Sequence, residues 1–107
     1  MDEYVLRMNE FLLLMHADAP AAERESQPTW VTYLAKLQSA GVLLGGSAIG
    51  DGICVSKRGA EGEIARHISG YLKVKAESLD AARALLEGNP VYESGGTVEI
   101  RELPRTE

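Results

Sequence analysis

The sequence has little cysteine and no long apolar run. Cys54 is the single cysteine among 107 residues, which excludes an internal disulfide. A lone thiol fits a reducing cytoplasm, which is the location we predict. The apolar run at residues 11–15 is far shorter than the roughly 18 residues of a membrane span. Residues of mixed charge precede that run, so we predict neither a signal peptide nor a membrane partner.

Positive charge is also scarce. The sequence has eleven Lys and Arg residues and sixteen Asp and Glu residues, which gives a net charge of −5. This balance argues against a nucleic-acid partner and against an anionic membrane surface. His16 and His67 have no further ligands at metal-binding spacing. The glycines at 45, 46, 50 and 52 are followed by no Lys-Ser/Thr, so they form no phosphate loop. We predict no metal and no cofactor.

The pattern of apolar residues predicts one domain over residues 1–107. Five consecutive apolar residues at 11–15 indicate a central strand that is buried on both faces. The other predicted elements are a helix from Pro28 to a stop at Gly41, a strand from Val42 that is interrupted by glycines, a short strand at 53–57, a polar loop at 58–66, a strand at 68–76, a helix capped by Ser78 and ended by Gly88, and a strand at 97–103.

This order predicts an α+β fold of the ferredoxin-like βαββαβ type, an antiparallel sheet with two helices on one face. The last strand is expected to flank the first on one side, and the strand at 68–76 to flank it on the other. The second sheet face is then bare, although residues 11–15 are apolar on both sides. Exposing apolar surface costs roughly 25 cal/mol per Å². We therefore predict a homodimer that packs face to face through this side.

Five segments stand in a consistent order between residues 9 and 103: Phe-Leu-Leu-Leu-Met-His at 11–16, Leu37 with Ala-Gly-Val-Leu-Leu-Gly-Gly at 40–46, Ser-Gly-Tyr at 69–71, Ser-Leu-Asp-Ala-Ala at 78–82, and Gly-Gly-Thr-Val-Glu-Ile-Arg at 95–101. Together they resemble the YCII-related family, including its DGPF-type branch, within the dimeric α/β-barrel superfamily. The resemblance implies a ferredoxin-like fold and a dimer whose two sheets pack face to face.

The chain departs from the patterns of this family at its functional positions. In the YCII-like branch, the resemblance implies a catalytic His early in the first helix and an Asp before a Pro after the second helix. Trp30 and Asn89 stand at the matching positions, and neither side chain titrates as an acid–base pair requires. Residues 58–61, Arg-Gly-Ala-Glu, replace the Asp-Gly-Pro-Phe loop of the other branch. The chain is thus an outlying member.

His16 and Asp18 are the candidate catalytic residues, because both lie where the first strand ends. A His beside a carboxylate forms an acid–base pair that works near neutral pH. The alternative is a strand-end His with a loop Asp that accepts hydrogen bonds from backbone donors. Cys54 is expected to be a buried, inert thiol.

The candidate ligand-binding residues are Tyr71, Lys73, Glu99 and Arg101, on the predicted bare face, and Trp30, at the start of the first helix. The charged residues would line a cleft for a small anionic or polar ligand, with Arg101 as its fork-like partner. The alternative is that they form salt bridges between subunits. Trp30 has the alternative role of a core or pocket-rim residue.

Two functions are consistent with these patterns. The first is a dimeric small-ligand-binding or accessory domain without a catalytic site. The second is a small dimeric α/β-barrel enzyme of the isomerase, lyase or monooxygenase type. It would use His16 as its acid or base on an anionic substrate, with Asp18 or Glu99 orienting the imidazole ring.

Overall fold

A computed structural model describes residues 8–20 and 27–105 of the chain. The elements, in chain order, are β1 (Asn9–His16), α1 (Gln27–Ser39), β2 (Leu43–Ala48), β3 (Cys54–Ser56), β4 (Gly59–Gly62), β5 (Ile68–Ala76), α2 (Leu79–Ala84), α3 (Pro90–Glu93) and β6 (Val98–Leu103). The fold is therefore α+β, as the sequence predicts.

The main sheet has four strands in the order β2-β5-β1-β6, and each neighbouring pair is antiparallel. This order confirms that β1 is central, with β6 on one side and β5 on the other. β2 and β6 are the edge strands. In β2 the register shifts between Leu43 and Gly45, which confirms the irregularity expected from its glycines.

The hydrophobic core lies on one side of this sheet. Phe11, Leu13 and Met15 of β1 are buried there, in one cluster with Tyr33 and Leu37 of α1. Ala82 and Leu86, in and just after α2, belong to the same cluster, as does Val91 of α3. The helices thus cover one face. The intervening residues of β1, Leu12 and Leu14, are half-buried and lie on the other face.

Residues 8–20 and 27–105 contain three helices, where the sequence predicts two. α2 ends at Ala84, before the predicted stop at Gly88, and Asn89-Pro90 begins α3. The Asn89 side chain accepts hydrogen bonds from the main-chain N–H groups of Val91 at 2.9 Å and Tyr92 at 3.1 Å. Proline suits the first helical position because its missing N–H would have no partner there. Asn89 is fully buried, so this cap forms part of the core.

The prediction of a loop over residues 58–66 is wrong in part, because β4 pairs with β3 in a separate two-stranded sheet. We call residues 54–62 the hairpin arm. The three residues of β3 are exposed, so the arm has little apolar burial to reveal it in the sequence. The prediction that Cys54 is buried is also wrong: its thiol is exposed and donates to the Glu63 carbonyl at 3.3 Å.

Candidate functional site

The face of the sheet opposite the core, here called the open face, has an apolar centre and polar flanks. Strand register places Leu12 between Lys73 of β5 and Arg101 of β6. Leu14 lies in the same way between Tyr71 and Glu99. Since alternate residues of a strand point to opposite faces, these six side chains share one surface. The structure thus brings four of the five predicted ligand-binding residues together.

A chain of polar contacts runs along one side of the open face, from His16 to Glu99 to Arg101. His16 Nε2 lies 2.9 Å from Glu99 Oε1, and Arg101 Nη1 donates to Glu99 Oε2 at 3.2 Å. Two hydrogen bonds lower the pKa of Glu99 below its usual value. The one with His16 has the larger effect, and the one with Arg101 has the smaller effect. Glu99 is therefore ionised at neutral pH and accepts from both partners.

His67 joins this group, which the sequence did not reveal. Its ring packs edge-to-face against the ring of His16, with a centroid distance of 4.7 Å. His67 is exposed, so the pair is open to solvent on one side. Fifty-one residues separate the two histidines in the chain. Only the return of β5 alongside β1 brings them together, and no local sequence pattern signals it.

Asp18 makes its hydrogen bonds to Thr97, which follows the alternative reading of this residue. Its Oδ1 accepts from the Thr97 main-chain N–H at 2.8 Å, and its Oδ2 accepts from the Thr97 hydroxyl at 2.7 Å. These bonds, led by the one from the hydroxyl, lower the pKa of Asp18. Glu99 is the carboxylate that bonds to His16, and Asp18 instead links the end of β1 to Thr97, just before β6.

The Asp18 contact predicts a pH-dependent loss of stability. A carboxylate with a pKa lowered by folding stabilises the folded state above its unfolded pKa of about 3.9, and this contribution is lost as the pH falls through its lowered value. We expect Asp18→Asn to be less stable than the unmodified chain at pH 7. The difference should shrink as the pH falls below about 4. Urea unfolding at several pH values measures this.

Asp51→Asn supplies the control for this prediction, because it removes the same charge from an exposed loop before the hairpin arm. The Asp51 side chain accepts only from the adjacent Gly52 N–H and lies 3.8 Å from an Arg66 nitrogen. An Asp18→Asn stability difference that stays constant between pH 7 and the acid limit would contradict the proposed ionisation of Asp18.

A cavity of about 610 Å³ adjoins the end of the open face. Leu14 is the point at which the cavity meets the centre of that face. An exposed ion pair, Arg66 with Asp51, lies at the rim. The cavity is an open depression, lined mostly by apolar side chains with a few polar groups, and its volume falls in the range of small-molecule sites. Its principal lining residues are Leu14, Ile49, Ile53, Ile64, Arg66 and Ile68.

Within residues 8–20 and 27–105, no group of three or more His, Cys, Asp or Glu side chains is arranged to hold a metal ion. In the same part of the chain, no helix has the length and apolar character needed to cross a membrane.

The family model of the YCII-related domain matches residues 10–106, which is nearly the whole chain. The chain belongs to the YCII-related family. This confirms the resemblance given by the five sequence segments. Among curated proteins, none matches this sequence.

Trp30 and Asn89, which take the place of the catalytic pair implied by the family resemblance, lie away from the open face of this YCII-related domain. Trp30 packs against the core on the helix side, edge-to-face with Tyr33 at a centroid distance of 6.0 Å. Asn89 caps α3. Trp30 is thus the one predicted ligand-binding residue that the structure does not place with the others, because α1 packs on the opposite side of the sheet.

Proposed function

We propose that this YCII-related domain is a homodimeric small-ligand-binding or accessory domain of the cytoplasm, whose ligand is a small anionic or polar molecule. The observation that carries the proposal is the composition of the open face. Its centre is apolar at Leu12 and Leu14, its flanks are charged, and a cavity of about 610 Å³ adjoins it. The apolar centre of the open face favours a protein partner, and its charged flanks favour a small polar or anionic ligand.

Exposed apolar side chains near the open face support the proposal of a homodimer. Leu44, Ile49, Ile53 and Val55 are between 41% and 77% exposed. Leu44 lies on β2, and the other three lie in or before the hairpin arm. Ile49 and Ile53 line the cavity beside Leu14 of the open face, and exposed apolar patches of this kind mark interaction surfaces. Pairing two open faces buries this area in a self-complementary contact.

The case for an anionic or polar ligand rests on Arg101. Its guanidinium makes one hydrogen bond with Glu99, and its side chain is 66% exposed. A guanidinium has five N–H donors in a planar fork, so several are available to a carboxylate. Lys73 is less available, because its ammonium group lies 3.2 Å from a Glu10 carboxylate oxygen.

Thermal unfolding in the presence of acetate, succinate and citrate tests this proposal. A ligand that binds only the folded state raises its melting temperature in a saturable manner. We expect such a rise with at least one of the three, and about tenfold weaker binding after Arg101→Gln, since a charge-assisted hydrogen bond contributes about 1.5–3 kcal/mol.

Arg83→Gln is the matched control, because Arg83 is an exposed arginine on α2, on the helix side of the sheet. It should leave binding unchanged. Equal loss of binding in Arg83→Gln and Arg101→Gln would assign the effect to general charge. No saturable rise with any of the three anions would remove the support for an anionic ligand.

One observation favours the enzyme alternative. An ionised Glu99 accepts from His16 Nε2 at 2.9 Å, which leaves Nδ1 as the acceptor in a neutral imidazole. A carboxylate that orients an imidazole in this way is a common feature of general bases. A reaction abolished in His16→Gln, with anion binding retained, would establish this second function. Full activity of His16→Gln would exclude it for that reaction.

A further inference from the structure

A second cavity lies on the helix side of the sheet, at its β2 edge. Its volume is about 670 Å³, which falls in the range of about 300–1,000 Å³ typical of small-molecule sites. Trp30, Val31 and Leu34 of α1 form one wall, and the sheet forms another. We call this space the α1 cavity. It lies on the helix side of the sheet, whereas the site proposed above lies on the open face; Ser69 lines both cavities, and Tyr71 of the open face also contributes to the α1 cavity.

Two glycines on adjacent strands, Gly46 of β2 and Gly70 of β5, belong to the sheet wall of the α1 cavity. A Cβ atom at Gly46 would lie 2.5 Å from Leu72 Cδ2 and 2.6 Å from the Tyr71 carbonyl oxygen, too close for any side chain. Gly70 is buried, and a Cβ there would lie 3.2 Å from the Ser47 carbonyl oxygen. Close packing within the sheet thus excludes a side chain at Gly46 and disfavours one at Gly70, so both positions contribute main chain to the cavity wall.

The chemistry of the lining favours an uncharged ligand. None of the described residues that line the α1 cavity has a charged side chain, and a buried charge without a partner is strongly unfavourable. Trp30 supplies a flat aromatic surface, and the rings of Trp30 and Tyr33 pack edge-to-face. Tyr33 is itself fixed, because it is buried and its hydroxyl donates to the Leu85 carbonyl at 2.8 Å.

The two hydroxyl groups of the lining residues are not directed into the α1 cavity. Ser47 pairs with Tyr71 and so shares the open face, where its hydroxyl donates to the Ala48 carbonyl at 2.8 Å. Ser69 also lines the cavity beside the open face, and its hydroxyl donates to the Met15 carbonyl at 3.4 Å. We propose that the α1 cavity binds a small uncharged molecule with an aromatic body.

Trp30 fluorescence tests the proposal directly, because Trp30 is the single tryptophan. The probes are benzyl alcohol, which has an uncharged aromatic body with a hydroxyl, and benzoate, which has the same ring with a charge. We expect a saturable change in Trp30 emission with benzyl alcohol, with a dissociation constant of about 1 mM, as suits eight non-hydrogen atoms. Benzoate should bind at least about tenfold more weakly.

Ala48→Phe fills the α1 cavity from an exposed position on an edge strand, and it should weaken benzyl alcohol binding at least tenfold. Val31→Lys provides a second variant, because Val31 is 64% exposed on α1 and a charge at this rim should have the same effect without disturbing the core. Leu79→Phe, an exposed site on α2, is the control that should leave binding unchanged.

Three results would overturn the proposal. They are equal binding of benzoate and benzyl alcohol, unchanged binding in both Ala48→Phe and Val31→Lys, and an emission change that follows the protein concentration instead of the benzyl alcohol concentration. The last would assign the cavity to contact between copies of the chain. None of these results bears on anion binding by Arg101, which is measured on the other side of the sheet.

Discussion

Leu14→Arg is expected to convert the proposed dimer into a folded monomer. The substitution replaces an apolar side chain at the centre of the open face by a larger, charged one. Each copy would lose the burial of one leucine, which contributes about 1.5–3 kcal/mol. A dimer contains two such sites, and every 1.4 kcal/mol is a factor of about ten. The dissociation constant of the dimer should therefore rise at least about a hundredfold.

The folded monomer should tolerate this change. Leu14 is half-buried in the single chain, and its cross-strand neighbour on β6 is Glu99. An arginine at position 14 would face that carboxylate, and opposite charges on neighbouring strands contribute a modest stabilisation. Circular dichroism should then show native secondary structure in the variant, which distinguishes loss of the dimer from loss of folding.

Sedimentation velocity at micromolar concentration measures the effect. Leu79→Arg makes the same substitution at a site that is 56% exposed on α2, and it should leave the assembly unchanged. If the unmodified chain sediments as a well-folded monomer, the proposed dimer is wrong. If Leu14→Arg and Leu79→Arg sediment alike as dimers, two copies associate through some other surface.

The central strand was the most predictable part of this fold, and the physical reason is its composition. Five consecutive apolar residues need cover on both faces, and β1 provides it with buried and half-buried residues in alternation. The pairing of β1 with β5 and β6 then fixes which residues share the open face. Tyr71, Lys73, Glu99 and Arg101 could be placed together from strand alternation and the predicted strand order.

The hairpin arm and α3 could not be predicted in the same way. β4 reads Gly-Ala-Glu-Gly and lacks an apolar alternation, so its pairing with β3 has no signature in the sequence. α3 is a single turn that depends on the buried cap from Asn89. The pairing of β4 with β3 is a contact between two segments, which hydrophobic periodicity does not record, and a single helical turn is too short to show a helical periodicity.

The sequence left open whether Asp18 or Glu99 pairs with His16. His16 has Asp18 two residues away and Glu99 far along the chain, yet the ring bonds to Glu99. The register of β1 with β6 decides this, because it sets Glu99 beside Leu14, on the same face as His16. Asp18 lies beyond the end of β1, where Thr97 offers it two donors. Proximity in the sequence therefore did not identify the carboxylate that bonds to His16.

Leu13→Ala is expected to cause the largest loss of folding stability. Leu13 is fully buried, and its cross-strand neighbours are Leu72 on β5 and Ile100 on β6. Truncating a buried leucine costs about 3–5 kcal/mol, because the burial is lost and a cavity is left. A domain of this size has a total free energy of unfolding of about 5–15 kcal/mol. The variant should therefore unfold at a much lower urea concentration.

Leu12→Ala, one residue away, separates the two faces of β1. Leu12 is half-buried in the single chain, so its truncation should matter mainly where the open face is covered by a second copy. The stability of a dimer rises with protein concentration. The loss caused by Leu12→Ala should therefore be large at concentrations where the unmodified chain is dimeric and small where it is monomeric. The loss caused by Leu13→Ala should persist at both protein concentrations. If the stability losses of Leu12→Ala and Leu13→Ala depended equally on concentration, one face of β1 would not be core and the other interface.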